Sequence, residues 1–107
     1  MSNSGKELAW QRLLQLILKV ETSEKLDDLL ELFLTISERD ALASRYQLVE
    51  ALLTGDAPQR EIAETLGLSI SKITYGSNAL KRIKEPLRKF LVNAITDTSN
   101  DHGSVKE

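Results

Sequence analysis

A chain of 107 residues, 41% of them hydrophobic, can bury one modest core and has no length for a second, so a small single-domain protein is expected. It has no cysteine, and its one histidine, His102, lies in a polar C-terminal stretch; disulfides, thiolate metal sites and cysteine nucleophiles are excluded, and no metal site is expected. The net charge of -2 hides a segregation: residues 1–58 hold six Lys/Arg against ten Asp/Glu, residues 59–90 seven against three, and residues 91–107 one against three, giving -4, +4 and -2.

The start, Met-Ser-Asn-Ser-Gly, has no basic region ahead of an apolar stretch, and Gln15, Asp27, Asp28 and Glu31 interrupt the longest apolar segments. A cytoplasmic protein with no membrane partner is expected. Trp10, Leu13, Leu14 and Ile17 fall at i, i+3, i+4 and i+7, which predicts an amphipathic helix from about Lys6 to about Val20. Thr22 or Ser23 is placed to cap the next helix. There Leu26, Leu29, Leu30, Leu32, Phe33 and Leu34 are apolar around nearly the whole circumference, despite Asp27, Asp28 and Glu31. Such a helix needs cover on several sides, and a second copy of the chain is the economical source, so a homodimer is expected.

Thr35-Ile36-Ser37-Glu38 has the form of a capping box and opens a long helix. Leu42, Tyr46, Val49 and Leu53 are its expected buried stripe, and Gly55 its end. Pro58 suits the first turn of the helix that follows. From Gln59 to Thr74 the chain reads as two short helices joined by a tight turn at Gly67, the layout of a DNA-binding helix-turn-helix. Small Ala63 lets the helices approach, Gly67 supplies positive φ at the corner, Ile62, Leu66, Leu68 and Ile73 fill the angle, and Ser69 caps the second helix. Arg60, Ser71, Lys72 and Thr74 are left outside as donors for phosphates and base edges. An ordinary helical corner with the same residues at the same offsets is the competing reading. The corner lies within the basic segment 59–90, which would draw a phosphate backbone to one face in a salt-dependent manner.

Lys84-Glu85-Pro86 interrupts the helix, and Leu87, Phe90, Leu91 and Ala94 resume helical spacing. About six helices result, with no strand pattern and no internal repeat. Residues 1–95 are expected to form one helical domain, with the helix-turn-helix at about 58–82, and residues 96–107 a disordered polar tail. An enzyme is not expected: Asp27 and Asp28 are sequence neighbours on different helix faces, and Ser44, Ser69 and Ser71 have no histidine base outside the tail.

Three stretches, Leu34-Thr35-Ile36-Ser37-Glu38-Arg39-Asp40-Ala41-Leu42-Ala43-Ser44-Arg45, Gln59-Arg60-Glu61 and Ile73-Thr74-Tyr75-Gly76-Ser77-Asn78-Ala79-Leu80-Lys81, have the order and spacing of one family. With the aromatic Trp10 in the first helix, they make the chain resemble the tryptophan repressor family over residues 10 to 92. The resemblance implies an all-α, six-helix intertwined homodimer carrying helix-turn-helix DNA-reading heads, with no cofactor beyond L-tryptophan as corepressor. It also implies that the ligand sets the two recognition helices one DNA turn apart, about 34 Å, on a palindromic double-stranded operator. The regulated genes would be those of tryptophan biosynthesis or uptake.

On the DNA side the expected contacts are Gln59, Arg60, Ser69, Ile70, Ser71, Lys72, Thr74 and Lys81, with Arg60 matching the family's base-contacting arginine and Lys81 a phosphate partner. On the ligand side, Leu32, Leu34 and Thr35 would supply main-chain oxygens and apolar surface, Arg45 would stack on the indole, and Gly76 would leave the ring room; Lys72, Tyr75 and Ala79 complete that set. The chain departs from the family pattern at several of these positions. Tyr75 stands where the family usually has an arginine, Lys72 replaces a threonine, Ala79 lacks a hydroxyl found in some relatives, and Ala63 replaces a DNA-contacting lysine. Tyr75 can still stack on an aromatic ligand, and Lys72, one turn earlier, can supply a positive charge. A related regulator that binds DNA constitutively, or answers a different aromatic metabolite, is the alternative.

Overall fold

The computed structural model describes residues 3–100, with side chains described for residues 5–96. Six helices follow one another: α1 (Asn3–Leu18), α2 (Ser23–Phe33), α3 (Ile36–Thr54), α4 (Gln59–Leu66), α5 (Ile70–Arg82) and α6 (Glu85–Asn100), with no strand among the described residues. The all-α class and the six helices agree with the expectation. None of the helices is long and apolar enough to cross a membrane.

Local chemistry accounts for most of the boundaries. α1 ends at Leu18, and Lys19 and Val20 only wrap back as turns onto the carbonyls of Leu16 and Ile17. Thr22 is the cap of α2, its hydroxyl accepting the Lys25 amide at 3.1 Å. The capping box of α3 is reciprocal: the Thr35 hydroxyl accepts from Glu38 N at 3.0 Å, and the Glu38 carboxylate accepts from Thr35 N at 2.9 Å. Pro58 stands one residue outside α4 as its cap, not within the first turn, and its carbonyl accepts from both Glu61 N and Ile62 N. α6 continues as helix to Asn100, and residues 101–107 of the expected tail lie outside the described residues.

The chain forms two compact units, Met1–Asp40 and Ala41–Glu107, with the boundary inside α3. In the first, no described residue is buried: Leu13, Leu14 and Ile17 of α1 and Leu26, Leu29 and Leu30 of α2 are half-buried, while Trp10, Leu32 and Phe33 are exposed. Leu8, Ala9, Trp10, Leu13, Leu16 and Phe33 line an open apolar groove of about 630 Å³. The second unit contains all six apolar residues that are buried among those described, Leu48, Ile62, Ala63, Ile73, Leu80 and Ile95.

The buried stripe expected on α3 is corrected by this arrangement. Leu48 is the buried residue, with Ala51 and Leu52 packed beside it, whereas Leu42 and Tyr46 are about half exposed. At 100° per residue, the stripe of Leu42, Tyr46, Val49 and Leu53 is centred about 110° round the helix from Leu48 and Leu52, and its last two residues are half-buried. α3 thus has two adjoining apolar faces, and the Leu48 face packs with α4 and α5.

Candidate nucleic-acid interface and ligand-site residues

The corner between α4 and α5 is built from the residues that predicted it. Gly67 adopts φ 67° and ψ 34°, the left-handed region, and is the one described residue with positive φ. Leu68 N donates to Ala63 O at 2.9 Å and Gly67 N to Glu64 O at 3.4 Å, which is the double closure of a Schellman motif. α5 then starts from Ser69, whose hydroxyl accepts from Lys72 N at 3.2 Å. Ile62 and Ala63 of α4, Ile73 of α5 and Leu48 of α3 form one buried cluster, with Leu66 and Leu68 against it. Ile73 is fully buried and centres the cluster.

Two long-range details orient α5. A Cβ added at Gly76 would lie 2.6 Å from Leu48 Cδ2 and 3.6 Å from Leu52 Cδ1, so α5 approaches α3 at a distance that only glycine permits without repacking. The Cβ side of Gly76 faces these two leucines. Gln59 Nε2 donates to Ser77 Oγ at 3.3 Å, tying the start of α4 to the middle of α5. Ser77 was not among the expected residues; a hydrogen bond spanning 18 positions leaves no mark in local spacing.

All eight expected DNA contacts are exposed: Gln59 and Arg60 at the start of α4, Ser69 at the turn, Ile70, Ser71, Lys72 and Thr74 in the first turns of α5, and Lys81 near its end. α5 therefore buries Ile73 and Leu80 on one side and presents hydroxyls, an ammonium and an apolar tip on the other. The N-terminal end of such a helix, with its amides and positive dipole end, suits both phosphates and base edges.

The expected ligand-site residues fall in both units. In the first, Leu34 and Thr35 line a cleft of about 290 Å³ with Asp27, Glu31, Ile36 and Arg39, and Leu32 is exposed outside it. The Thr35 hydroxyl and amide are both engaged in the capping box, and its carbonyl accepts from Arg39 N at 2.9 Å. In the second unit, Arg45, Lys72 and Tyr75 are exposed, Tyr75 to 69%, while Gly76 and Ala79 are half-buried. Among the described residues no group of His, Cys, Asp or Glu side chains is placed to hold a metal ion, and no polar or charged side chain is buried. The chemistry on offer is that of surface donors and acceptors.

Residues 8–95 match the family described as Trp repressor protein. Among similar curated proteins, the Trp operon repressor homolog of Chlamydia trachomatis serovar D is 48% identical over 90 residues, covering 84% of this chain and 96% of its own. That of Chlamydia caviae is 45% identical over 93 residues, covering 87% and 92%. That of Aliivibrio salmonicida is 34% identical over 108 aligned positions, covering all of both chains.

Proposed function

The chain belongs to the Trp repressor protein family, and from that premise we propose that it is a DNA-binding transcriptional repressor, acting as a homodimer on a palindromic operator with L-tryptophan as corepressor. The observation that carries this reading is the α4–Gly67–α5 corner, packed on Leu48 from below and exposing Gln59, Arg60, Ser69, Ile70, Ser71, Lys72, Thr74 and Lys81 together. Arg60, Ser71 and Thr74 read base edges, and Gln59, Ser69, Lys72 and Lys81 hold the backbone. The protein acts in the cytoplasm on genes of tryptophan supply.

The homodimer rests on the unmet apolar surface of the first unit, where Leu32 is 76% exposed, and on the second apolar face of α3. The ligand reading rests on the family and on the Leu32–Thr35 segment, Arg45, Lys72, Tyr75, Gly76 and Ala79. A corepressor acts only by binding the DNA-competent arrangement better than the other, so ligand and operator must strengthen each other by the same factor. Tyr75 favours a second reading: a neutral, exposed ring in place of the family's usual arginine admits an aromatic metabolite other than tryptophan.

The test is selection of bound duplexes from a random pool, followed by titration with and without L-tryptophan. We expect a two-fold-symmetric site whose affinity rises at least about fivefold with the ligand. Unchanged affinity with tryptophan, but a rise with another indole or aromatic compound, establishes the second reading. Arg60→Ala is expected to lose about 1 to 3 kcal/mol of operator binding and to relax base preference at one position of each half-site; no change would remove Arg60 from the interface.

A further inference from the structure

The link between α5 and α6 is the most basic stretch of the chain, with Lys81, Arg82, Lys84, Arg88 and Lys89 in nine residues against the single acid Glu85. Lys81, Arg82, Lys84 and Lys89 are exposed, and none takes part in an ion pair among the described residues. Lys81 and Arg82 occupy the last turn of α5, where a cation meets the negative end of the helix dipole. Lys84 stands at the start of α6, its carbonyl accepting from Arg88 N; there the dipole is positive and disfavours a cation. Lys89 lies beyond the first turn of α6, four residues after Glu85. The charge of Lys84 is therefore not explained by the helix it starts.

The junction holds a defined geometry. The Arg88 guanidinium donates to Leu80 O, one of the carbonyls left without an amide at the end of α5, and so fastens α6 to the end of the reading helix. Along α5, Ser71, Tyr75, Asn78 and Arg82 fall on one stripe opposite buried Ile73 and Leu80. Arg82 lies eleven residues beyond Ser71, about 16 Å along the axis, whereas the major groove is about 12 Å wide. With the start of α5 in the groove, its far end and the α5–α6 link reach the phosphate rim.

We infer that Arg82, Lys84 and Lys89 form a phosphate-backbone clamp beside the reading helix, which grips the DNA strand flanking the bases read and adds affinity without sequence preference. The inference rests on the DNA-binding reading above. The experiment measures binding of the full chain to its selected operator and to a mixed-sequence duplex of the same length across a salt series, for the wild type and for Arg82→Gln/Lys84→Gln/Lys89→Gln. The slope of log affinity against log salt should fall by about 0.9 for each contact removed, hence by about 2 to 3 per chain, on both duplexes alike. The ratio of operator to mixed-sequence affinity should stay constant, and the charge-conserving Arg82→Lys/Lys84→Arg/Lys89→Arg variant should retain the wild-type slope.

An unchanged slope in the Gln variant overturns the clamp while leaving the reading head intact. A wild-type chain that binds neither duplex overturns both. Thermal melting of the Gln variant at or above the wild-type temperature shows that a slope loss is not a folding defect.

Discussion

At the scale of single residues, glycine serves two different physical ends in this chain. Gly67 has open space where a Cβ would go but a backbone angle that side chains resist, whereas Gly76 has ordinary helical backbone and no space. Gly76→Ala gains about 1 kcal/mol of helix propensity and sets against it about 1 to 3 kcal/mol of overpacking on Leu48. The expected net loss is on the order of 1 kcal/mol. In a double-mutant cycle by denaturant unfolding, Leu48→Val should recover part of that loss, and strict additivity would show that the close approach is not what Gly76 provides. Tyr46 gives a pH-dependent case on the exposed face of α3. Partial desolvation, then the charge of Glu50 one turn on, then hydrogen bonding to that carboxylate hold its phenol above the ordinary tyrosine value. The neutral phenol is the form the fold favours, so this contribution is complete below the unfolded-state pKa and is lost as pH rises through the raised one. Glu50→Gln should bring the tyrosinate absorbance midpoint of Tyr46 back toward the ordinary value.

Elements meet or fail to meet according to their ends. The Schellman closure at Gly67 and the Ser69 cap turn the chain within three residues, which lets α4 and α5 share Ile62, Ala63 and Ile73 as one core. Gly67→Ala should cost about 1 to 2 kcal/mol, because the left-handed angle is penalised even where space is open. The loss should appear as earlier melting together with weaker DNA binding, since the corner sets the angle of α5. A variant that melts earlier and binds normally would show that α5 keeps its attitude without this cap. Thr35 stands both at a helix end and in the proposed ligand site. Its hydroxyl and amide are spent on the cap of α3 and its carbonyl accepts from Arg39 N, so a ligand would meet only the second lone pair of that carbonyl and the methyl surface.

For the whole molecule, the decisive quantity is apolar surface without cover. The first unit has no buried residue among those described, and Trp10, Leu32 and Phe33 stand in water, while α3 exposes Leu42 and Tyr46 on its second face. Burial of apolar area stabilises by about 25 cal/mol per Å², so leaving these side chains wet forfeits several kcal/mol that cover by the proposed partner copy would restore. Sedimentation equilibrium should therefore give twice the mass of one chain, and the melting temperature should rise with protein concentration. Leu42→Glu should lower both the mass and the melting temperature. A folded monomer whose melting does not depend on concentration would remove the homodimer from the proposal.

Read along the chain alone, the sequence determined the six helices, the caps at Thr35 and Ser69, a cap at Thr22 or Ser23, the turn at Gly67 and the concentration of positive charge in residues 59–90. Each of these depends on groups three or four residues apart or on composition, and such short-range chemistry acts before any distant part of the chain is placed. Only the tertiary structure decided that Leu48 and not Leu42 or Tyr46 is buried, that Gly76 lies against Leu48 and Leu52, and that Gln59 reaches Ser77. Those contacts join residues many positions apart, and α3 offers two apolar faces of similar composition. Which one a neighbour covers is a question of packing partners, and periodicity carries no information about the partner.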